Sequence, residues 1–175
     1  MASDDSRVVA TSGLAVVKGT EKSHKTDLYG VREDIDSAAR VKRRLTPDTV
    51  SILDLLREKN MLVPGSKLGP DIRNEYRRIK RPLLSNAFGR TASLVDHGNL
   101  MLVTSSVPGE GKTYTAVNLA LAFAQERDYT VLLIDCDVTK QGLSRMLGIE
   151  KRRPDLTDLL VSEKLSVGDA LLHTD

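Results

Sequence analysis

Two short stretches of this sequence carry residue types at spacings that can do chemistry. The first is VTSSVPGEGKT, Val103 to Thr113. A glycine-spaced turn ending in Gly-Lys-Thr lets backbone N–H groups of Gly109, Glu110, Gly111 and Lys112 converge on phosphate oxygens. Gly109 and Gly111 supply backbone angles that other residues resist. Lys112 has the reach and charge for the β- and γ-phosphates, and the Thr113 hydroxyl is a hard ligand for Mg²⁺. Ser106 stands where such a loop usually has its first glycine, which is tolerable if that position needs a small residue rather than a positive φ. The second stretch is LLIDCDVTK, with Asp135 and Asp137 closing an apolar run. Hard carboxylates suit Mg²⁺ coordination or proton abstraction, the reading favoured with a phosphate loop one strand earlier; the alternative is an Asp that caps the turn that follows. Both readings stay open. The small ligand implied is a nucleoside triphosphate, ATP with Mg²⁺.

These residues need elements to hold them. NLMLVTS ahead of the loop is a short apolar run suited to a buried strand. The helix expected after it, TYTAVNLALAFAQE, is apolar almost all round, so it predicts burial rather than a surface position. TVLLID is the next buried strand. Strand, loop, helix and strand form a βαβ unit, which implies an α/β fold with a parallel sheet. Asp135 and Asp137 then fall at a strand's carboxyl end, where open α/β sheets bind ligands. Short helices are expected at GLSRMLG, DLTDLLV and SVGDALLH, with no third convincing strand.

The preceding half differs in texture. Met1 to Arg90 carries 18 Lys/Arg against 12 Asp/Glu, and the remainder 8 against 12. Residues 1–45 lack sustained periodicity, end in RVKRR and read as a disordered basic tail. Residues 46–90 read as a helical segment and 91–175 as the start of the nucleotide domain. Thr46, Pro47 and Asp48 have the types that begin a helix, with Val50, Ile52, Leu53, Leu55 and Leu56 on its apolar side. A second helix opens at Pro70 and stops at Gly89, with Pro82 expected to kink or break it. Ile72, Tyr76, Ile79 and Leu83 share a stripe on that helix; Glu75, Arg78 and Arg81 lie on a separate face.

Composition narrows the function classes. Of 175 residues 40% are hydrophobic, 29% charged and only 3% aromatic, with no Trp, which leaves little for stacking on bases. The basic runs read as solvated surface rather than a specific nucleic-acid site, or as a patch drawn to an anionic membrane face. The lone Cys136 excludes an intramolecular disulfide and suits a reducing cytoplasm. The N-terminus does not read as a signal peptide, and no apolar run is long enough to span a membrane.

EYRRIKRPLLSNAFG, the stretch from Val103 to Val138, and SRMLGIEK together resemble the bacterial tyrosine kinases of polysaccharide export, and within them the exosortase-associated autokinase branch. The resemblance covers roughly Leu53 to Asp175. It implies ATP-dependent phosphoryl transfer to tyrosine in control of exopolysaccharide polymerisation or export. It gives Asp135 and Asp137 the roles of Mg²⁺ coordination and activation of the tyrosine hydroxyl. It implies self-assembly into a homo-oligomer through Glu75, Arg78 and Arg81. A membrane-anchored polysaccharide co-polymerase adaptor is the implied partner, and the cytoplasm, at the inner membrane, the implied place. The chain departs from the family at Thr139, where an arginine is usual. It also lacks the family's third motif, a strand ending in Asp then Ser/Thr-Pro-Pro, and its tyrosine-rich tail. Tyr29, Tyr76, Tyr114 and Tyr129 are scattered instead. The expectation is the front part of a longer kinase, with a non-catalytic interaction fragment as the alternative. A partitioning-type ATPase is disfavoured because such enzymes resemble this loop but carry a lysine where this chain has Val107.

Overall fold

The computed structural model describes residues 12–18, 49–90, 92–94, 96–137, 140–149 and 154–174. Tyr29, Thr139, most of the basic tail and the expected helix start at Thr46–Asp48 lie outside them. Two compact units result. The first contains strand β1 (Ser12–Lys18), helices α1 (Leu53–Glu58) and α2 (Pro70–Phe88), strand β3 (Leu100–Val103), helix α3 (Lys112–Ala124), strand β4 (Tyr129–Asp135) and helix α4 (Gly142–Met146). The second contains β2 (Thr49–Val50) and β5 (His173–Thr174), paired in parallel, with the short helices α5 (Leu156–Val161) and α6 (Val167–Ala170).

The α3 helix forms as its composition predicts. Ala116, Val117, Asn118, Leu119, Ala120, Ala122 and Phe123 are all buried, and Phe123 is fully enclosed. Met101 of β3, Tyr76 of α2 and Leu62 join Leu119, Ala120, Ala122 and Phe123 in one core, against which Val131 and Leu133 of β4 pack. Burying one such large apolar side chain contributes on the order of 2–3 kcal/mol. Asn118, the polar residue at the centre, is fully satisfied. Its Oδ1 accepts from the Leu62 N–H (2.7 Å), while Nδ2 donates to the Tyr114 carbonyl (3.0 Å) and faces Met61 Sδ (3.3 Å). Tyr114 Oη donates to the Asn60 carbonyl (3.2 Å), and Gln125 Nε2 to the Leu62 carbonyl (3.2 Å). The segment Asn60–Leu62 is thus tied along α3 by its main chain. Burial raises the Tyr76 pKa above its ordinary value, against the lowering effect of hydrogen bonds to Thr115 and Asn118.

The sheet departs from expectation. β3 and β4 run in the same direction, as a βαβ unit requires, but they do not pair directly. β1 lies between them, antiparallel to both, and the order is β3-β1-β4. Two strands a double spacing apart, about 10 Å, leave two rows of backbone donors and acceptors without partners. β1 satisfies both rows: all seven of its residues pair with β4, and Ser12 to Ala15 also pair with β3. Among the described residues, β3 is covered on one face. Met101 is buried, yet Leu100 and Leu102 are 62% and 64% exposed, so β3 is not the doubly buried strand its composition suggested.

The helices before the loop also differ from their sequence patterns. α1 begins at Leu53 rather than after Thr46, because Thr49 and Val50 pair with β5. Pro82 does not break α2, which runs on to Phe88 and ends at Gly89 as expected. Buried side chains flank the proline on both sides, Tyr76 and Lys80 before it and the half-buried Leu83 and Leu84 after, so packing offsets the one lost backbone bond. The buried face of α2 is turned by roughly 60° from the expected stripe, at 100° per residue. Ile72 and Ile79 are exposed, and Lys80 takes their place inside. Its ammonium donates to the Ala122 carbonyl in the last turn of α3 (3.0 Å) and to Glu126 (2.5 Å). A long aliphatic stem inside and a charge on a helix C-terminus are both favourable for lysine.

Candidate phosphate-binding site

The loop between β3 and α3 shapes itself through its own side chains. Val107 is held at both ends of its residue: its N–H donates to Glu110 Oε2 (3.1 Å), and its carbonyl accepts from Lys112 Nζ (3.2 Å) and from the Ser105 hydroxyl (3.2 Å). Lys112 Nζ also donates to Ser105 Oγ (2.8 Å). The Ser105 hydroxyl, then the Val107 N–H, hold the Glu110 carboxyl below its ordinary pKa, with smaller help from the Lys112 charge and the Ser106 N–H. Gly109 and Gly111 both have φ of 88°, the left-handed region that their types were read to supply. Ser106 is not among the non-glycine residues with positive φ, which are Asn60, His97 and Gln141. Its position does not ask for glycine.

Beyond Val107 the loop turns from self-contained to open. Among the described residues, the N–H groups from Gly109 to Tyr114 have no acceptor; the first helical bond runs from Thr115 to the Gly111 carbonyl. Gly111 is the residue before the helix and offers no side-chain cap. Unpaired donors at a helix start, with the positive end of its dipole and Lys112 beside them, form a site for an anion. The neighbouring Thr113 hydroxyl faces α4: a methyl group added at Gly142 would lie 3.5 Å from Thr113 Oγ1.

Asp135 reaches the same α4. Its Oδ2 accepts from Leu143 N–H (3.0 Å) and Ser144 N–H (3.4 Å), and its Oδ1 from Asp137 N–H (3.1 Å). Asp137 Oδ1 accepts from Lys140 N–H (3.1 Å). Of the two readings left open by sequence, the backbone-capping one describes these bonds. It does not remove the other, since a carboxylate oxygen carries more than one acceptor site. Thr113, Asp135 and Asp137 are all hard oxygen donors, the chemistry Mg²⁺ selects, and α4 is the element that Thr113 and Asp135 share. Glu75 and Arg78 form an exposed ion pair on α2 (3.1 Å), and Arg81 is exposed on the same helix. Sequence reading missed the side-chain roles of Ser105 and Glu110. The spacing of an acid three residues after Val107 was their available signal, since a carboxylate readily reaches back to an N–H at that separation.

Comparison with known proteins agrees with this geometry. Residues 101–168 match the CobQ/CobB/MinD/ParA nucleotide binding domain. The tyrosine-protein kinase ptk of Acinetobacter johnsonii is 26% identical over 163 residues, which is 93% of this chain and 21% of that protein. The tyrosine-protein kinase CpsD of Streptococcus pneumoniae is 45% identical over 64 residues, 37% of this chain and 26% of that protein. An iron-sulfur cluster carrier protein of Escherichia coli is 43% identical over 60 residues, 34% of this chain and 16% of that protein. The chain therefore spans about a fifth to a quarter of the two kinases. No solved structure gives a match. The likeness to ptk, extending across 93% of the chain, reaches well outside the nucleotide-binding match. The chain is thus similar to bacterial tyrosine-protein kinases, and its residues 101–168 to the CobQ/CobB/MinD/ParA nucleotide binding domain.

Proposed function

We propose that this chain binds Mg-ATP through Ser106–Thr113 and serves an ATP-dependent protein-tyrosine autokinase that regulates exopolysaccharide synthesis or export. The observation that carries the reading is the run of unpaired amides from Gly109 to Tyr114 beside Lys112. Those amides and the lysine bind and orient the β- and γ-phosphates. Thr113, Asp135 and Asp137 would hold Mg²⁺, which when bound neutralises phosphate charge. In the transfer, the bond from the γ-phosphorus to the bridging oxygen breaks and a bond to a tyrosine oxygen forms. ADP leaves, and the phenolic proton passes to an aspartate. Positioning and charge stabilisation supply most of the rate in such chemistry. Exposed Ile72 and Ile79 beside the Glu75, Arg78 and Arg81 row support assembly of copies through α2. A membrane-anchored adaptor would place the assembly on the cytoplasmic side; no helix of the described residues is long and apolar enough to cross a membrane.

The test is Lys112→Met. Loss of a charge-assisted phosphate contact should weaken Mg-ATP binding at least a hundredfold, about 2.7 kcal/mol. Retained affinity in a fluorescent-nucleotide titration would sink the assignment of the loop. The engagement of Asp135 with backbone N–H groups favours a second reading, in which the chain binds nucleotide and docks without transferring phosphate. Phosphotyrosine formed by the purified chain with Mg-ATP decides for the first; bound nucleotide without phosphotyrosine decides for the second.

A further inference from the structure

The two halves of the loop differ in how their backbone donors are used, and Glu110 makes the difference. Its Oε2 accepts from the Val107 N–H at 3.1 Å, and its carboxylate lies within the influence of the Ser105 hydroxyl and the Ser106 N–H. The front half, Ser105 to Val107, thereby holds an anion supplied by the chain itself. The back half, Gly109 to Tyr114, has no acceptor for its N–H groups among the described residues. We infer that Glu110 is a positioning residue for nucleotide: it fills the front half of the loop and restricts an incoming phosphate to the back half. The inference rests on the reading of this loop as a nucleotide site and adds a role for a side chain where only the Glu110 backbone was assigned one.

The physics has two parts. First, the Val107 carbonyl is held by Lys112 and Ser105, and Lys112 must give up that bond to reach a phosphate. Glu110 then keeps the Val107 N–H end fixed while the lysine moves, so the loop does not slacken as it binds. Second, a carboxylate bound in the front half repels a phosphate placed there and leaves the helix N-terminus as the favourable location. A neutral oxygen acceptor of the same shape would keep the first effect and lose the second.

The experiment compares the wild-type chain with Glu110→Ala and Glu110→Gln, using a fluorescent ATP analogue with Mg²⁺ and residue-resolved amide hydrogen exchange. Glu110→Ala should bind the analogue roughly tenfold more weakly and should exchange the Val107 amide faster. Glu110→Gln should keep the Val107 protection and bind at least as tightly as wild type. Wild-type affinity in Glu110→Ala overturns the inference, and so does Glu110→Gln as weak as the alanine variant. If the wild-type chain binds no nucleotide, the functional reading fails instead. Equal Val107 exchange in wild type and Glu110→Ala then still disproves the staple on its own.

Discussion

The loop after β3 and the loop after β4 leave the same end of one sheet and solve opposite problems. The first ends in a run of N–H donors, from Gly109 to Tyr114, without acceptors among the described residues. The second begins with a carboxylate, Asp135, whose oxygens take N–H groups from Asp137, Leu143 and Ser144. One loop is open to an anion, and the other uses its acid to build α4. The donor half of a phosphate site can be preformed, because amides at a helix start need no partner but water. An acidic half facing it gains from being tied to backbone, since its charge is then partly balanced before any metal arrives. The two loops therefore depend on different supports, and each can be attacked separately.

The largest effect is expected at the support of the donor loop. Asn118 fixes α3, and with it the loop, to Asn60–Leu62. Asn118→Ala strands the buried Leu62 N–H and removes packing at a fully enclosed site, so it should cost about 3 kcal/mol. Urea denaturation measures this directly. A loss below about 1 kcal/mol would show that α3 is held by apolar contact alone.

A smaller effect is expected at the acceptor loop. Asp135→Ala removes the oxygens that receive Leu143 and Ser144 N–H, with a cost of about 1–2 kcal/mol, as for loss of a helix cap. Asp135→Asn should recover part of that stability, because its amide oxygen still accepts. The pair of variants sharpens the contrast between loops. If Asp135→Asn restores stability but loses the Mg²⁺ dependence of nucleotide affinity, the carboxylate has both roles. If Mg²⁺ dependence is unchanged, Asp135 is a cap only.

What sequence made legible follows the same line. The burial of α3 was readable because Ala116 to Phe123 is apolar at every position but Asn118, and no tertiary information is needed to predict that. The loop was readable because Gly-Lys-Thr after an apolar strand has few other uses. The role of Asp135 was not decidable, since an Asp at a strand end reads the same whether it receives backbone N–H groups or a metal. The rotation of α2 was hidden in Lys80, whose charge marks it as exposed although its stem is buried. β1 was the least legible. Its seven residues, SGLAVVK, sit within a polar stretch, and what makes them a strand is a slot formed more than eighty residues later. Pairing at that separation leaves no local pattern beyond a short apolar run.

The smallest expected effect concerns Ser106, the residue that departs from the usual loop. Where φ is positive a serine is strained and glycine relieves it; where φ is negative glycine only adds freedom to the unfolded chain. Ser106 belongs to the second case. Ser106→Gly should therefore lower stability by about 0.5–1 kcal/mol and change Mg-ATP affinity by less than about twofold. Its backbone N–H is retained in the variant. A marked gain in affinity would mean that the front half must move on binding, contrary to the fixed front half argued from Val107 and Glu110. A loss of stability with affinity intact would confirm that the two halves of this loop are separable, with the serine belonging to the frame and the glycines to the site.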